Sequence, residues 1–369
     1  MSPSAKAVQR HVGKSLVPRL AASSLKRRSS VSVVIPAYNA ATMIGKTLDS
    51  VFAQTFRNLE VVVVNDGSPD TEDLERVLQL YFGRITYLRQ QNRGPAAARN
   101  AGILRSSGEY VAVLDSDDTW DPEYLDAQLA LLESQSGADL VYADLRMVGQ
   151  SPRAGKTWMQ DCPSRGRVTF ESILREDCQI PNSAVVARRR VLMETGLFDE
   201  SAELRGVEDW DMWLRVAWRG GRILYQRRVL GTYLLRSESL SANVLARLAA
   251  QGEVLTKLDR QLDLSATQRA TLRRKQSSLE ARSNLVRGKR LLSQREFAQA
   301  RECMEKAYHF NSSLRVLAAA VCVRVTPGLT RAGANWWKHL LLAVSQAERA
   351  SSKLLARYHV PWRSYQQRS

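Results

Sequence analysis

The chain has 369 residues, 44% of them apolar and 25% charged, which suits one large or two modest soluble domains and excludes a disordered chain, a collagen or a small disulfide scaffold. Its longest uninterrupted apolar run, Val316 to Val323, is eight residues, against the ~20 that a membrane-crossing helix needs. The net charge of +17 is uneven: +7 in residues 1–30, −5 in 31–240 and +15 in 241–369. A nucleic-acid enzyme more often places its basic surface around its cleft, so no nucleic-acid partner is expected. An acidic middle between basic ends suits a metal site plus attachment to an anionic surface. The four cysteines, Cys162, Cys178, Cys303 and Cys322, contain no C-x-x-C pair; neither a zinc cage nor a disulfide framework is indicated, and a cytoplasmic compartment is expected.

Residues 1–30 read as a basic flexible tail with no apolar core of a secretory signal. Val31 to Ile35 is strand-like and ends at Pro36; Ile44, Leu48, Val51 and Phe52 then recur at helical spacing, with Asn39 as the expected N-cap. Leu59 to Val64 is a β-branched strand, Thr71 to Tyr81 a polar helix, and Ile85 to Leu88 a short strand. Pro95 opens an Ala-rich helix at the position where its missing N–H costs nothing. Tyr110 to Leu114 is another buried strand, and Asp121-Pro122-Glu123 starts the next helix. Strands apolar on both faces and alternating with helices predict an α/β fold whose parallel sheet is covered on both sides. After residue 240 the strand signals stop, and Leu, Ala, Arg, Gln and Glu predict a basic helical region over 241–369. Leu285 to Tyr308 resembles one tetratricopeptide-like hairpin, but no second copy follows, so a helical subdomain is the expectation rather than a solenoid.

Ligands of open α/β sheets sit outside the carboxyl ends of the strands. Those ends carry Pro36-Ala-Tyr-Asn39, Asn65-Asp-Gly-Ser68 and Asp115-Ser-Asp-Asp118, while Glu208-Asp-Trp-Asp211 opens an amphipathic helix. Two carboxylates one residue apart at a strand end can hold a hard divalent ion or a ribose hydroxyl, and Mg²⁺ and Mn²⁺ favour few carboxylates plus substrate phosphates. Helix capping accounts for Asp121 but not for Asp115 and Asp117, which precede it. Asp66 alone could be turn chemistry, and Asp209 alone a helix-dipole acid. Ala40-x4-Gly45-Lys46-Thr47 imitates a phosphate-binding P-loop. Its first glycine is replaced by Ala40 and its Gly-Lys-Thr falls inside the Ile44/Leu48/Val51 helical pattern, so a P-loop-like or nucleic-acid-binding protein stands only as the alternative.

The ordered set resembles the family 2 glycosyltransferases, whose nucleotide-sugar-binding α/β fold is called GT-A. The resemblance runs from Val31 to about Ser241 and rests on Ile35-Pro-Ala-Tyr-Asn39, Gln54-Thr55, Asn65-Asp-Gly-Ser68, Gly94-Pro-Ala-Ala-Ala-Arg-Asn-Ala-Gly102, Leu114-Asp-Ser-Asp-Asp118 and Glu208-Asp-Trp-Asp-Met-Trp-Leu-Arg215. It implies a GT-A catalytic domain over 31–240 and transfer of a sugar, with inversion, from a nucleoside-diphosphate donor such as a UDP-sugar. The acceptor it implies is a glycan, glycolipid or polysaccharide precursor. Ala37 and Tyr38 would line the base pocket, and Asp66 would accept from the uracil N–H. Arg99 would face the nucleotide, Asp115 would sit near the ribose, and Ser116 would join the nucleotide-binding residues. Asp117 would ligate Mg²⁺ or Mn²⁺, and Asp209 would be the general base.

Two positions depart from the family pattern. Ala41 stands where many members carry an acid, and Arg236 where a histidine is frequent, so Arg236 is expected to hold the diphosphate as a cation. The Q-x-x-R-W signature of processive synthases is missing, so one sugar per acceptor visit is expected. Trp336, Trp337, Leu340, Leu341 and Val344 share one helical face among basic residues; such a stripe suits a helix lying on an anionic membrane, here the inner face of the cytoplasmic membrane.

Overall fold

The computed structural model describes residues 30–236 and 243–310. The basic tail before Ser30, the stretch 237–242, the Val316–Val323 run and the Trp336/Trp337 stripe lie outside the described residues. Eight strands form one sheet: β1 (Val31–Ala37), β2 (Leu59–Asp66), β3 (Thr86–Gln90), β4 (Tyr110–Val113), β5 (Thr119–Trp120), β6 (Ala138–Gly149), β7 (Val185–Arg188) and β8 (Arg222–Leu235). Helices α1 (Ile44–Phe52), α2 (Thr71–Leu78), α3 (Pro95–Arg105), α4 (Tyr124–Ser134), α5 (Trp158–Asp161), α6 (Phe170–Leu174), α7 (Arg189–Glu194) and α8 (Glu208–Trp218) are interspersed, and α9 (Val244–Gln261), α10 (Ala266–Ser293) and α11 (Phe297–Phe310) follow.

The sheet order is β3-β2-β1-β4-β7-β6-β8-β5. Strands β1 to β4 are parallel, as the alternation predicts. Beyond β4 the mostly parallel sheet becomes mixed: β6 and β8 run parallel, while β7 runs antiparallel to both β4 and β6, and β5 antiparallel to β8. The run Val185-Val-Ala187 is buried on both faces, and a strand of that kind reads the same whichever way it points. Alternation within strands builds the two layers. Val31, Val33 and Ile35 face a core with Ile44, Leu48, Leu74 and Leu125, while Val34 faces the other core. Helices α9 and α10 join that second core through Val254, Leu255, Leu258 and Leu272, alongside Phe170 of α6 and Trp213 of α8. A boundary near residue 240 therefore divides the chain without dividing the core. The hairpin read from Leu285 to Tyr308 is present as α10 against α11, with Met304 buried against Leu285 and Leu292.

Asn39 does not cap α1, which starts five residues later with Met43 at its N-cap and no side-chain cap bond. It turns the chain instead, at a φ of 52° that asparagine tolerates better than most residues, and its backbone N–H donates to Ser68 Oγ at 2.6 Å. The ends of β1 and β2 are thereby tied together. Gly102 of α3 lies so close to β1 that a Cβ there would come 2.4 Å from Val34 Cγ1. Gly102→Ala is expected to destabilise the chain by about 1–3 kcal/mol through overpacking, read as a lower denaturation midpoint of the full chain.

Candidate active site

The carboxyl ends of β1, β2 and β4, the start of α3 and the start of α8 open on one cavity of about 510 Å³. All eight residues singled out in the sequence line it: Ala37, Tyr38, Asp66, Arg99, Asp115, Ser116, Asp117 and Asp209. Ala37 is fully buried at the end of β1, whereas Tyr38 is 50% exposed. The ring is thus free to cover a flat ligand.

Asp66 organises the wall beside Tyr38. Its Oδ1 accepts from Gln90 Nε2 at 2.8 Å and the Arg93 N–H at 2.9 Å, and its Oδ2 accepts from the Gly94 N–H at 2.8 Å. A carboxylate has room for about four hydrogen bonds, so acceptor capacity remains on Oδ2. Gly94 takes a φ of 93°, the left-handed region open to glycine, and so delivers that N–H just before Pro95 begins α3.

Arg99 emerges from the first turn and a half of α3 with its side chain only 6% exposed. Its Nη2 bonds Asp115 Oδ1 at 2.8 Å and its Nη1 bonds Glu208 Oε1 at 2.5 Å. With the Asn182 amide oxygen turned toward it, Nε donates there at 3.1 Å. The guanidinium expected to face the nucleotide lines the cavity and has a protein partner at every nitrogen, so that it holds Asp115 and Glu208 in place. Those two acids hold its pKa above the ordinary arginine range against the opposing effect of burial. Asp115 stays 30% exposed.

Asp117 and Asp118 complete the acidic strand end. Arg236 Nε lies 2.9 Å from Asp117 Oδ2, so the arginine expected to await a diphosphate is paired with a carboxylate. Burial, then Asp115, raises the Asp117 pKa, and Arg236 opposes the rise. Asp118 accepts from the Leu234 N–H at 2.8 Å, but its buried Oδ2 has no hydrogen-bond partner. Burial and the charges of Asp117 and Asp115 push its pKa well up. Crowded carboxylates of this kind favour a cation. Among the described residues no three His, Cys, Asp or Glu side chains converge to hold a metal by themselves. The donor set therefore fits an ion that takes one or two carboxylates and completes its shell with phosphate oxygens and water.

The three acids opening α8 have separate partners. Glu208 bonds Arg99, and its Oε2 also accepts from the Gly206 N–H at 2.6 Å. Asp211 is fully buried between Arg215 and Lys257. Asp209 alone bonds only its neighbour's backbone, accepting from Trp210 N–H at 2.7 Å, and lines the cavity. Burial first, then the Glu208 charge, push its pKa up to about 7, with Arg99 pulling the other way. Glu208 and Asn182, and Ser183 behind them, whose Oγ accepts from the Asp115 N–H at 3.2 Å, escaped the sequence reading. Glu208 lay within a quoted motif, but no spacing marks the other two, which lie in a short turn before β7.

The P-loop alternative loses its footing here. Lys46 is exposed on α1 away from the cavity wall, and Thr47 Oγ1 bonds the Ser116 and Asp118 carbonyls at 2.9 and 2.8 Å. Gln54, just after α1, donates to Asp121 O, beyond β5, and accepts from the Leu125 N–H of α4. Thr47 thus braces the acidic loop from behind, and Gln54 fixes the turn into α4.

A nucleotide-sugar type of α/β domain is what this fold and cavity define. Residues 32–181 match Glycosyl transferase family 2, and the fold built around them is GT-A. It is 30% identical over 54% of its length to an uncharacterized glycosyltransferase of Rickettsia prowazekii, 62% of which is covered. It is 28% identical over 61% of its length to WfgD of Escherichia coli, a UDP-Glc:alpha-D-GlcNAc-diphosphoundecaprenol beta-1,3-glucosyltransferase, 85% of which is covered. The matched part spans between 31% and 62% of the length of five rickettsial relatives. Among solved structures, Staphylococcus aureus TarS 1–349 in complex with UDP-GlcNAc superposes with a TM-score of 0.57 at 18% identity, covering 82% of this chain and 91% of that one. The mannosyltransferase PcManGT of Pyrobaculum calidifontis, in complex with GDP-Man and Mn²⁺, gives 0.53 at 20% identity, with 87% of each chain covered. These two likenesses carry the fold.

Arg99→Met is expected to leave Asp115 and Glu208 without their buried counter-charge. The cost should be about 3–5 kcal/mol, measurable by urea denaturation of the full chain.

Proposed function

We propose that the protein transfers a sugar from a nucleoside-diphosphate donor, a UDP-sugar, to a hydroxyl of a surface-glycan, glycolipid or polysaccharide precursor, with inversion at the anomeric carbon. The observation that carries this reading is the convergence of Asp66, Asp115, Asp117 and Asp209 on one cavity. The base binds between Tyr38 and the remaining acceptor capacity of Asp66, which takes the uracil N–H. Asp115, fixed by Arg99, takes a ribose hydroxyl beside Ser116, and the N-terminus of α3 borders the phosphates, where oriented N–H groups favour anions.

Asp117 would hold a divalent cation, Mg²⁺ or Mn²⁺, which when bound neutralises the charge developing on the departing diphosphate. Arg236 must then release Asp117, and its guanidinium becomes available to the same phosphates. Asp209 accepts the proton of the acceptor hydroxyl as the hydroxyl oxygen bonds to the anomeric carbon and the bond to the diphosphate oxygen breaks. A base near 7 is well matched to this task, since half of it is ionised at neutral pH while it still holds a proton firmly. One such carboxylate supports a single displacement. A GDP- or TDP-sugar would keep the class of reaction and change the donor. The +15 charge of residues 241–369 supports peripheral attachment to the anionic inner face of the cytoplasmic membrane; among the described residues no helix is long and apolar enough to cross a membrane.

Calorimetric titration with UDP, GDP, ADP and ATP, with and without Mn²⁺, tests the donor site. UDP is expected to bind best and more tightly with Mn²⁺, with that gain lost in Asp117→Ala; ATP binding without UDP preference would refute the reading. For the base, kcat/KM is expected to rise with pH and level off above about 7, and Asp209→Asn should abolish the rise together with the activity. Stability runs the other way. A raised carboxylate pKa stabilises the fold below the ordinary carboxylate range, and this contribution is lost as pH rises toward the folded value near 7. Asp209→Asn should therefore gain stability over wild type at about pH 8 and gain little at about pH 4.

A further inference from the structure

One wall of the cavity is not made by the acidic strand ends. It is formed by Trp158, Glu176 and Gln179 together with Arg247 and Gln251 of α9, a helix beyond the segment that matches the family. This wall is basic. Arg153, Lys156, Arg247, Lys275 and Arg282 surround two carboxylates, Asp161 and Glu176. Asp161 is held by Arg153 at 2.6 Å and Lys156 at 3.5 Å, and Glu176 by Lys275 at 2.5 Å and Arg282 at 2.9 Å. Arg247 is left over. Its Nε is buried without a hydrogen-bond partner, and burial together with the charges of Arg282 and Arg153 depresses its pKa. Trp213 Nε1 and Arg236 Nε, also on the cavity, are two further buried donors without a hydrogen-bond acceptor, although Arg236 Nε lies against the Asp117 carboxylate.

Glu176 shows that the wall is constructed. It adopts a φ of 62°, a costly conformation for a residue that is not glycine, and it is kept there by the two cations of α10. This anchor fixes α6 to α10 and sets Glu176 beside Arg247 without pairing the two. Orphaned N–H donors and uncompensated positive charge on the wall of a ligand cavity call for an anion. The donor's own diphosphate is already provided for by Asp117, Arg236 and the start of α3.

We infer that the α9 wall, through Arg247, binds a phosphate carried by the acceptor, so that the acceptor is an anionic, phosphate-bearing glycan or lipid rather than a neutral sugar. The inference rests on the glycosyl-transfer reading above and names the acceptor's chemistry. Arg247 acts as an acceptor-binding residue: it draws the phosphate to α9 and leaves the acceptor hydroxyl to be presented to Asp209. The acceptor phosphate takes no part in the displacement.

The test is a calorimetric titration of the full chain, first with UDP and then, once UDP-saturated, with octyl diphosphate or inorganic pyrophosphate. Wild type, Arg247→Gln and Arg247→Lys are compared. Saturable binding to the UDP-saturated protein is expected, weakened about tenfold or more in Arg247→Gln and held within a few-fold in Arg247→Lys, as loss and retention of a charge-assisted hydrogen bond require. UDP affinity should be the same in all three, which also shows that the variants fold. Equal affinity for the two probes would mean that charge alone is read, as in a polymer phosphate; tighter octyl diphosphate would add an apolar contact, as in a lipid-linked acceptor. Either supports the site. Equal binding by Arg247→Gln and wild type, or no binding of either probe to the UDP-saturated protein, overturns it. Failure of UDP, GDP and TDP alike to bind would instead overturn the glycosyltransferase reading; binding of GDP or TDP alone would change the donor and the nucleotide used to saturate the protein.

Discussion

The buried guanidinium of Arg99 is the contact on which the site depends. It joins α3, the end of β4, the start of α8 and the turn before β7 through Asp115, Glu208 and Asn182. A charge taken out of water is tolerated only when its partners and geometry are nearly complete, so these four segments must arrive together or not at all. Their joint arrival places Asp209, next to Glu208, at the cavity. The same Glu208 charge helps raise the pKa of Asp209 to about 7. The ion pair that assembles the site thus also tunes Asp209.

A second level of control lies at the acidic loop. Asp115, Asp117 and Asp118 crowd three carboxylates into four residues, and the structure answers their repulsion with Arg99 on one side and Arg236 on the other. Arg236 occupies the carboxylate that a divalent ion would use, while Asp118 Oδ2 stays orphaned. Such a loop is held in wait for positive charge. Thr47, reaching from α1, bonds the Ser116 and Asp118 carbonyls and ties the loop's backbone down.

The helices after residue 243 belong to the same design. Val254, Leu255 and Leu258 of α9 enter the core beside Trp213, and Lys257 of α9 pairs with both Asp199 and Asp211. This docking turns the polar side of the helix, with Arg247 and Gln251, toward the cavity. The region whose net charge looked like a membrane attachment is, in its described part, a wall of the site.

Periodicity was enough to read β1 to β4 and their helices, because apolar alternation reports which face of an element is buried, while the eight residues singled out on the cavity came from the strand-end motifs together with the family resemblance they carry. The same signals stop at the element's own boundary. The three acids opening α8 are equivalent as letters, yet one pairs with Arg99, one with Lys257 and one faces the cavity, and those partners lie tens to a hundred residues away. The reversed β7, the pairing of Arg236 with Asp117 and the exposure of Arg247 on the wall have the same origin. Each is a relation between distant segments, fixed by how two buried faces dock, and only the packed chain decides it.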